Sequence, residues 1–182
     1  MVFRRLILLF FLACWPSIGH ALSLNEYAAN PDGHVLFIRH ALAPGSGDPS
    51  HFKVEDCQTQ RNLSAAGREQ ARKIGARLRA AKLQISAILT SQWCRCKDTA
   101  TEMGLGPVSS APGLNSFYQG IVPKKETLAS LTKRLDSLDG RDGVTIMVTH
   151  FVTISAITGI GVSSGRMVSY NPQTGVAKVI GD

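Results

Sequence analysis

Three apolar runs in this sequence end in side chains that suit phosphate chemistry. These groups are Arg39-His40, Thr90-Ser91 with Arg95 one helical turn further on, and Thr149-His150. Arginine stays charged at any relevant pH and presents a planar fork of donors that matches phosphate oxygens. A neutral imidazole can attack phosphorus and become a phosphohistidine. The residue types therefore indicate phosphoryl transfer, with a histidine as nucleophile and arginines holding the charge of the transferred group.

This chemistry requires a fold that brings the ends of the three runs together. The sequence predicts strands at residues 34–38, 85–90, 108–110 and 144–149, and a C-terminal hairpin within 166–180. It predicts helices that begin at Ser64 and that span residues 91–103, 124–138 and 151–160. Strands that alternate with helices indicate a three-layer αβα sandwich with a mostly parallel central sheet. In such a sheet, ligands bind beyond the carboxyl ends of the strands, where all three groups lie.

The first 21 residues have the pattern of a secretory signal peptide. Arg4-Arg5 precedes an apolar run over residues 6–13, and Gly19-His20-Ala21 supplies the small residues of a cleavage site. The apolar run is too short to span a bilayer well. We expect cleavage after Ala21, a periplasmic or secreted protein, and no stable membrane insertion after cleavage. A retained anchor and a lipoprotein modified on Cys14 are the alternatives.

Residues 22–182 are long enough for one domain with its own hydrophobic core. Loss of Arg4 and Arg5 lowers the formal net charge from +7 to +5. A moderately basic surface suits an anionic substrate or a nearby anionic membrane surface. Sparse aromatic residues and the lack of a dense basic run argue against nucleic acid as a partner. The sequence does not indicate an oligomeric state.

The exported chain keeps three cysteines, Cys57, Cys94 and Cys96. In an oxidising compartment we expect one disulfide, with one thiol left over. Cys94 and Cys96 are too close in sequence to favour a bond with each other, so we expect Cys57 to pair with one of them. The Cys94-Arg95-Cys96 spacing is not that of a zinc site.

Four segments resemble signatures of the histidine phosphatase (phosphoglycerate-mutase-like) superfamily. They are residues 36–41 (Leu-Phe-Ile-Arg-His-Ala) for its Arg-His-Gly signature, 61–71 for its first-helix signature, 90–100 with Arg95 for its second-arginine segment, and 148–150 (Val-Thr-His) for its second-histidine segment. Each motif is common by itself, whereas four in this order are specific. The resemblance extends over nearly all of the exported chain.

The resemblance implies a phosphoglycerate-mutase-like fold and catalysis without a metal or an organic cofactor. It also implies that His40 is the nucleophile and that Arg39, Arg95 and His150 form the phosphate pocket. Because His40 must be neutral to attack while a protonated His150 would hold charge, we expect the two pKa values to be pushed apart. Four side chains are candidates for contacts with a small phosphorylated substrate: Ser46, Ser91, Ser116 and Tyr118.

The resemblance is incomplete at the general acid. Many members carry a glutamate where Ser116 stands here, and another branch carries an acid directly after the second histidine, where this chain has Phe151. A serine protonates an alcohol leaving group poorly. Either an acid comes from Asp48, Glu55 or Asp56 in the long loop after the first strand, or the substrate needs little protonation. A phosphoramidate, an acyl phosphate or an anhydride fits the second case.

These observations support two functions of different classes. The first is an exported phosphatase that hydrolyses a phosphate monoester, anhydride or phosphoramidate through a phosphohistidine intermediate on His40. The alternative is a non-catalytic protein on the same fold, which binds a phosphorylated ligand and has lost catalysis together with its acid. A mutase fits less well, because the acid is absent and the chain carries an export signal.

Overall fold

The computed structural model describes residues 21–31 and 33–181 and confirms the predicted three-layer architecture. In that part of the chain the strands are β1 Val35–Arg39, β2 Ile85–Thr90, β3 Val108–Ser110, β4 Val144–Thr149, β5 Met167–Tyr170 and β6 Ala177–Ile180. The α-helices there are α1 Leu24–Ala29, α2 Ala65–Ala80, α3 Cys94–Glu102, α4 Lys124–Asp136 and α5 Phe151–Thr158.

The sheet has the strand order β3-β2-β4-β1-β5-β6. Strand β4 pairs in parallel with both β1 and β2, and β2 pairs in parallel with β3. The predicted C-terminal hairpin, β5 and β6, adds two antiparallel strands beside β1. Because β1, β4 and β2 are parallel neighbours, their carboxyl ends meet at one edge of the sheet, as the site prediction requires.

Helices cover both faces of the sheet, which explains the unbroken apolar runs in its central strands. Leu36 and Ile38 of β1 point to one face, where they pack with core side chains of α1, α2 and α3. Val35 and Phe37 point to the other face and pack with side chains of α4 and α5. The two cores fix the central strands, and with them the positions of the polar residues that follow.

Helix α3 begins three residues later than predicted, at Cys94 instead of Ser91. Asn115 keeps the segment after β2 extended, because its Oδ1 accepts hydrogen bonds from Ser91 Oγ at 3.1 Å and from the Gln92 N–H at 2.9 Å. Arg95 therefore lies in the first turn of the helix, directly beside the sheet edge.

Helix α1 was not predicted. It begins with a capping box in which Ser23 and Glu26 satisfy each other's backbone N–H groups, and it is anchored by the fully buried Tyr27. Just before it, Leu22 pairs with the end of β6. The proposed cleavage point after Ala21 thus lies directly before a residue that pairs with the sheet.

The predicted signal peptide lies outside the described residues, apart from Ala21. Within residues 21–31 and 33–181, the helices are all too short or too polar to cross a bilayer.

Candidate active site

The carboxyl ends of β1, β2 and β4 border a cavity of about 290 Å³. The four predicted catalytic residues, Arg39, His40, Arg95 and His150, all line it. Three of the four predicted substrate contacts, Ser46, Ser116 and Tyr118, line it as well, and Ser91 does not. The structure therefore brings together residues that lie up to 111 positions apart in the sequence.

The geometry of His40 fits a nucleophile. Its Nδ1 lies 2.8 Å from the carbonyl oxygen of Ala41. Because a carbonyl oxygen only accepts hydrogen bonds, Nδ1 carries the proton and Nε2 keeps its lone pair. Burial is the main cause that lowers the pKa of His40 to about 3; the bond to Ala41 opposes this shift, and the charges of nearby arginines add to it. The ring is therefore neutral at physiological pH.

His150 is also neutral, which contradicts the prediction of a cation. Arg95 Nη2 lies 3.5 Å from its Nδ1, and since arginine only donates, Nδ1 must accept. The proton sits on Nε2, which lies 2.9 Å from Ser91 Oγ. Burial lowers the pKa of His150 well below its usual value, and the charge of Arg95 lowers it further. The two pKa values are thus both lowered instead of being pushed apart.

The predicted role of Ser91 as a substrate contact is wrong. Its hydroxyl is fully buried behind His150, where it accepts the hydrogen bond of that ring and donates to Asn115. A serine directly after a strand can face the ligand or face the back of a neighbouring ring, and the sequence does not distinguish the two. In this fold Ser91 fixes the tautomer and orientation of His150.

A third arginine, Arg61, lines the cavity with Arg39 and Arg95 and was not predicted as a site residue. It donates from Nε to the carbonyl oxygen of Gly47 at 2.8 Å and from Nη1 to that of Ala43. The signal was available, because Arg61 is the first residue of the first-helix signature.

Two of the arginines have N–H groups that make no hydrogen bond to the described part of the protein. Arg39 uses Nη1 to hold the carbonyl oxygen of Val162 at 2.7 Å. The Nε atoms of Arg39 and Arg95 are buried and have no hydrogen-bond partner among the described residues. Buried donors without a hydrogen-bond partner are rare in native structures, because leaving such a donor unsatisfied costs about 1–3 kcal/mol. Phosphate oxygens are acceptors that would satisfy them.

The three candidate acids separate in the structure. Asp48 forms a bidentate ion pair with Arg95, with distances of 2.7 Å and 3.0 Å, and both side chains are 3% exposed. Burial alone would raise the pKa of Asp48, but hydrogen bonds and the charge of Arg95 outweigh it and lower the pKa. Asp48 is therefore ionised and poorly suited to donate a proton. Glu55 and Asp56 are exposed and lie outside the cavity lining.

In the described part of the chain, the cavity lining contains no carboxylic acid. The side chains that set its charge are three guanidinium groups, the Asp48 carboxylate paired with one of them, and two neutral imidazoles. Their sum is two positive charges, which matches the dianion that a phosphate monoester forms above a pKa of about 6. Among the same residues, no group of three or more histidine, cysteine or acidic side chains is arranged to hold a metal ion.

The expected disulfide joins Cys57 to Cys94, and Cys96 keeps a free thiol. Cys96 Sγ lies 3.4 Å from His150 Nε2. Burial raises the pKa of the Cys96 thiol to about 12, so it remains protonated beside the imidazole. The disulfide fastens the long loop after β1 to the first residue of α3.

Comparisons with known proteins agree with the fold. The family model described as "Histidine phosphatase superfamily (branch 1)" matches residues 35–143. A comparison with curated protein sequences finds no significant match.

Among solved structures, the chain resembles the protein histidine phosphatase SixA complexed with tungstate, with a TM-score of 0.54, 16% identity, and coverage of 80% of this chain and 92% of that one. It also resembles mycobacterial glucosyl-3-phosphoglycerate phosphatase (TM-score 0.51, 16% identity, 80% and 95% coverage). A third is phosphoglycerate mutase from Plasmodium falciparum (TM-score 0.51, 13% identity, 82% and 89% coverage). At these identities the likeness concerns the fold.

Proposed function

This chain belongs to the histidine phosphatase superfamily, and from that premise we propose that it is a phosphatase that works through a phosphohistidine on His40. One observation carries the proposal: a neutral imidazole, whose Nδ1 is held by Ala41 and whose Nε2 keeps its lone pair, shares a cavity with three arginines. A positioned nucleophile beside preorganised positive charge is what phosphoryl transfer requires.

The reaction has two steps. Nε2 of His40 attacks phosphorus, an N–P bond forms, and the bond from phosphorus to the leaving group breaks. Water then attacks the phosphohistidine and gives up one proton, which reaches the anionic leaving group through solvent. The N–P bond breaks, inorganic phosphate is released, and neutral His40 is restored. In both steps charge spreads over the equatorial oxygens, and Arg39, Arg61 and Arg95 supply the positive charge that stabilises it.

The leaving group has to depart with little help from the protein. Since no described residue of the cavity lining is a carboxylic acid, a strongly basic alkoxide would leave slowly. Substrates whose leaving group is weakly basic, such as aryl phosphates, acyl phosphates and anhydrides, are therefore favoured. Phosphoramidates fit as well, because their nitrogen takes a proton from water before it leaves.

Two aromatic side chains at the cavity favour a leaving group with an apolar or planar face. Tyr118 is 51% exposed and Phe151 is 44% exposed, although both are large apolar residues. The Phe151 ring is held in place by the guanidinium of Arg39, which lies 5.4 Å from its centroid. A fixed, exposed ring at the entrance of a phosphate site offers a surface on which such a group packs.

The test is covalent labelling of the purified exported chain. The protein is mixed briefly with a ³²P-labelled aryl phosphate and quenched, and the label is tested for the acid lability and base stability of phosphohistidine. We expect labelling and turnover in the wild type and in His51→Asn, which changes an exposed histidine of the same loop. We expect neither in His40→Asn.

Turnover by His40→Asn at the wild-type rate would refute the phosphatase proposal. Binding of inorganic phosphate by the wild type, without labelling or turnover of any substrate, would favour the non-catalytic binding protein. A substrate panel then tests the leaving-group argument. We expect kcat/KM for aryl and acyl phosphates to exceed that for alkyl esters by about 100-fold or more, since a general acid is worth about 10²–10⁴-fold.

We also propose that the protein is exported and cleaved after Ala21. The basic, apolar and small-residue sequence of the N-terminus supports this. The Cys57–Cys94 disulfide suits an oxidising compartment, and cleavage after Ala21 would keep Leu22, which pairs with Ile180 of β6. Cell fractionation with N-terminal sequencing tests it: a mature chain that starts at Leu22 outside the cytoplasm is expected, and an uncleaved cytoplasmic chain would contradict it.

A further inference from the structure

Asp48 places a negative charge beside a site that binds a negatively charged group. We propose that Asp48 is a charge-setting residue: it keeps Arg95 in an ion pair and so limits the affinity of the pocket for the phosphate product. This role rests on the proposed function, because it concerns the release of phosphate from the same pocket.

The first step is that Asp48 occupies most of the hydrogen-bonding capacity of Arg95. Each Nη atom of Arg95 donates to one carboxylate oxygen of Asp48. The remaining neighbours of the two Nη atoms are the carbonyl oxygen of Arg61 at 3.3 Å and Nδ1 of His150 at 3.5 Å. Only Nε is left without a partner. Arg95 therefore meets a phosphate with one uncommitted donor instead of a full fork.

The second step is that hydrogen bonds fix the conformation of the Asp48 carboxylate. Its Oδ1 also accepts the backbone N–H of Arg61 at 3.1 Å, and its Oδ2 accepts Nε1 of Trp93 at 3.0 Å. Gln119 holds the backbone of Asp48: its Oε1 accepts the Asp48 N–H at 2.7 Å, and its Nε2 donates to the Asp48 carbonyl oxygen at 3.3 Å. Donors of Arg61, Trp93 and Arg95 thus fix one buried negative charge, and Gln119 fixes the backbone that carries it.

The third step concerns the charge balance. With Asp48 the pocket carries two net positive charges, and without it three. Tighter binding of phosphate in every state would not speed the chemical step and would slow product release. A fixed carboxylate on the innermost arginine lowers the affinity for product while leaving Arg39 and Arg61 to hold the transferred group.

The experiment measures binding of inorganic phosphate to the exported chain by calorimetry, together with kcat and inhibition by phosphate on an aryl phosphate. The variants are Asp48→Asn and Asp48→Ala. The control is Glu55→Gln, which removes the same charge from an exposed position of the same loop. We expect phosphate to bind at least about tenfold more tightly to both Asp48 variants, with a lower kcat and stronger phosphate inhibition, and we expect the control to behave as the wild type.

A merely structural role for Asp48 gives the opposite sign, because a misplaced Arg95 binds phosphate more weakly. Weaker or unchanged phosphate affinity in a folded variant would overturn the proposal, and so would failure of both variants to fold. If the wild type itself binds no phosphate, the proposed function fails first. If the wild type binds phosphate and turns over substrate while the variants bind no more tightly, only the role of Asp48 is refuted.

Discussion

Arg61 reaches the cavity from near the end of the 25-residue segment between β1 and α2, and this explains why it was missed at the level of single residues. The other cationic residues follow strand ends, where the parallel sheet determines their position. The position of Arg61 depends instead on how the loop folds, and the loop is held by contacts distant in sequence, such as those of Asp48 with Trp93 and Gln119. A motif can mark such a residue, whereas strand periodicity cannot.

We predict that Arg61→Met weakens binding of inorganic phosphate or tungstate by about 10–100-fold. The substitution removes one of three guanidinium groups and a charge-assisted hydrogen bond, which is worth about 1.5–3 kcal/mol. The anion affinity of Arg61→Lys should lie between those of the wild type and Arg61→Met, because lysine keeps the charge but lacks the planar fork that holds Gly47 and Ala43. Calorimetry with both anions measures the effect.

The matched control for this series is Arg141→Met, since Arg141 is 84% exposed and pairs with Asp139 away from the cavity. Unchanged anion affinity in Arg61→Met would mean that Arg61 serves only to hold the loop.

At the scale of elements, the strands were predictable and the short or capped segments were not. Strands β2, β3 and β4 have the predicted bounds. For β4 the reason is that a wholly buried, mostly apolar run between Asp142 and His150 leaves little choice of bounds. Helix α1 has six residues and depends on the burial of Tyr27 by distant parts of the chain. The start of α3 depends on Asn115, which approaches from 21 residues beyond it.

Helix α2 shows an element whose sequence requirement is visible only in three dimensions. A Cβ on Gly67 would lie 2.1 Å from the carbonyl oxygen of Leu42, and one on Gly75 would lie 1.9 Å from that of Met103. The two glycines let α2 approach the loop after His40 on one side and the end of α3 on the other. The basic surface of the same helix is partly neutralised, since Arg68 and Arg72 pair with acids of α3.

The disulfide between Cys57 and Cys94 is the covalent link between these elements. It closes a loop with a sequence separation of 37 residues, for which chain entropy gives about 4 kcal/mol of stabilisation. We predict that the double variant Cys57→Ser/Cys94→Ser loses about 2–4 kcal/mol of unfolding free energy and binds phosphate less tightly. Phosphate binding weakens because loss of the disulfide frees both the loop that carries Asp48 and Arg61 and the helix that carries Arg95.

Denaturant unfolding with and without a reducing agent measures the contribution of the disulfide to the unfolding free energy. Reduction should lower the stability of the wild type to that of the double variant and should leave the double variant unchanged. A wild type that keeps its stability and its phosphate affinity after full reduction would contradict a structural role of the disulfide.

At the scale of the whole molecule, the three-layer architecture followed from the alternation of elements, and the clustering of four catalytic candidates followed from the architecture. The ionisation of the site did not follow. His150 was expected to be a cation because a protonated imidazole would help to hold the charge of the phosphoryl group, yet the fold buries it among arginines. Protonation states depend on desolvation and on the sum of surrounding charges, and both belong to the assembled molecule.

This ionisation makes the folded state sensitive to acid. The pKa of His40 is lowered to about 3 and that of His150 is lowered well below its usual value, whereas an unfolded histidine has a pKa of about 6.5. Below pH 6.5 the unfolded chain therefore binds protons that the folded chain excludes. The contribution of the two neutral histidines to the unfolding free energy is fully present above pH 6.5. It decreases as the pH falls, by up to about 1.4 kcal/mol per pH unit for each histidine.

We predict that the unfolding free energy decreases by roughly 2–3 kcal/mol per pH unit between pH 6 and pH 5, above the unperturbed carboxylate pKa values of about 4. Urea denaturation across this range measures the slope. His40→Asn removes one of the two contributions and should show about half the slope, while His51→Asn, which changes an exposed histidine, should keep it. A flat profile in the wild type would mean that His40 and His150 accept protons in the folded state, and the neutral nucleophile would then have to be abandoned.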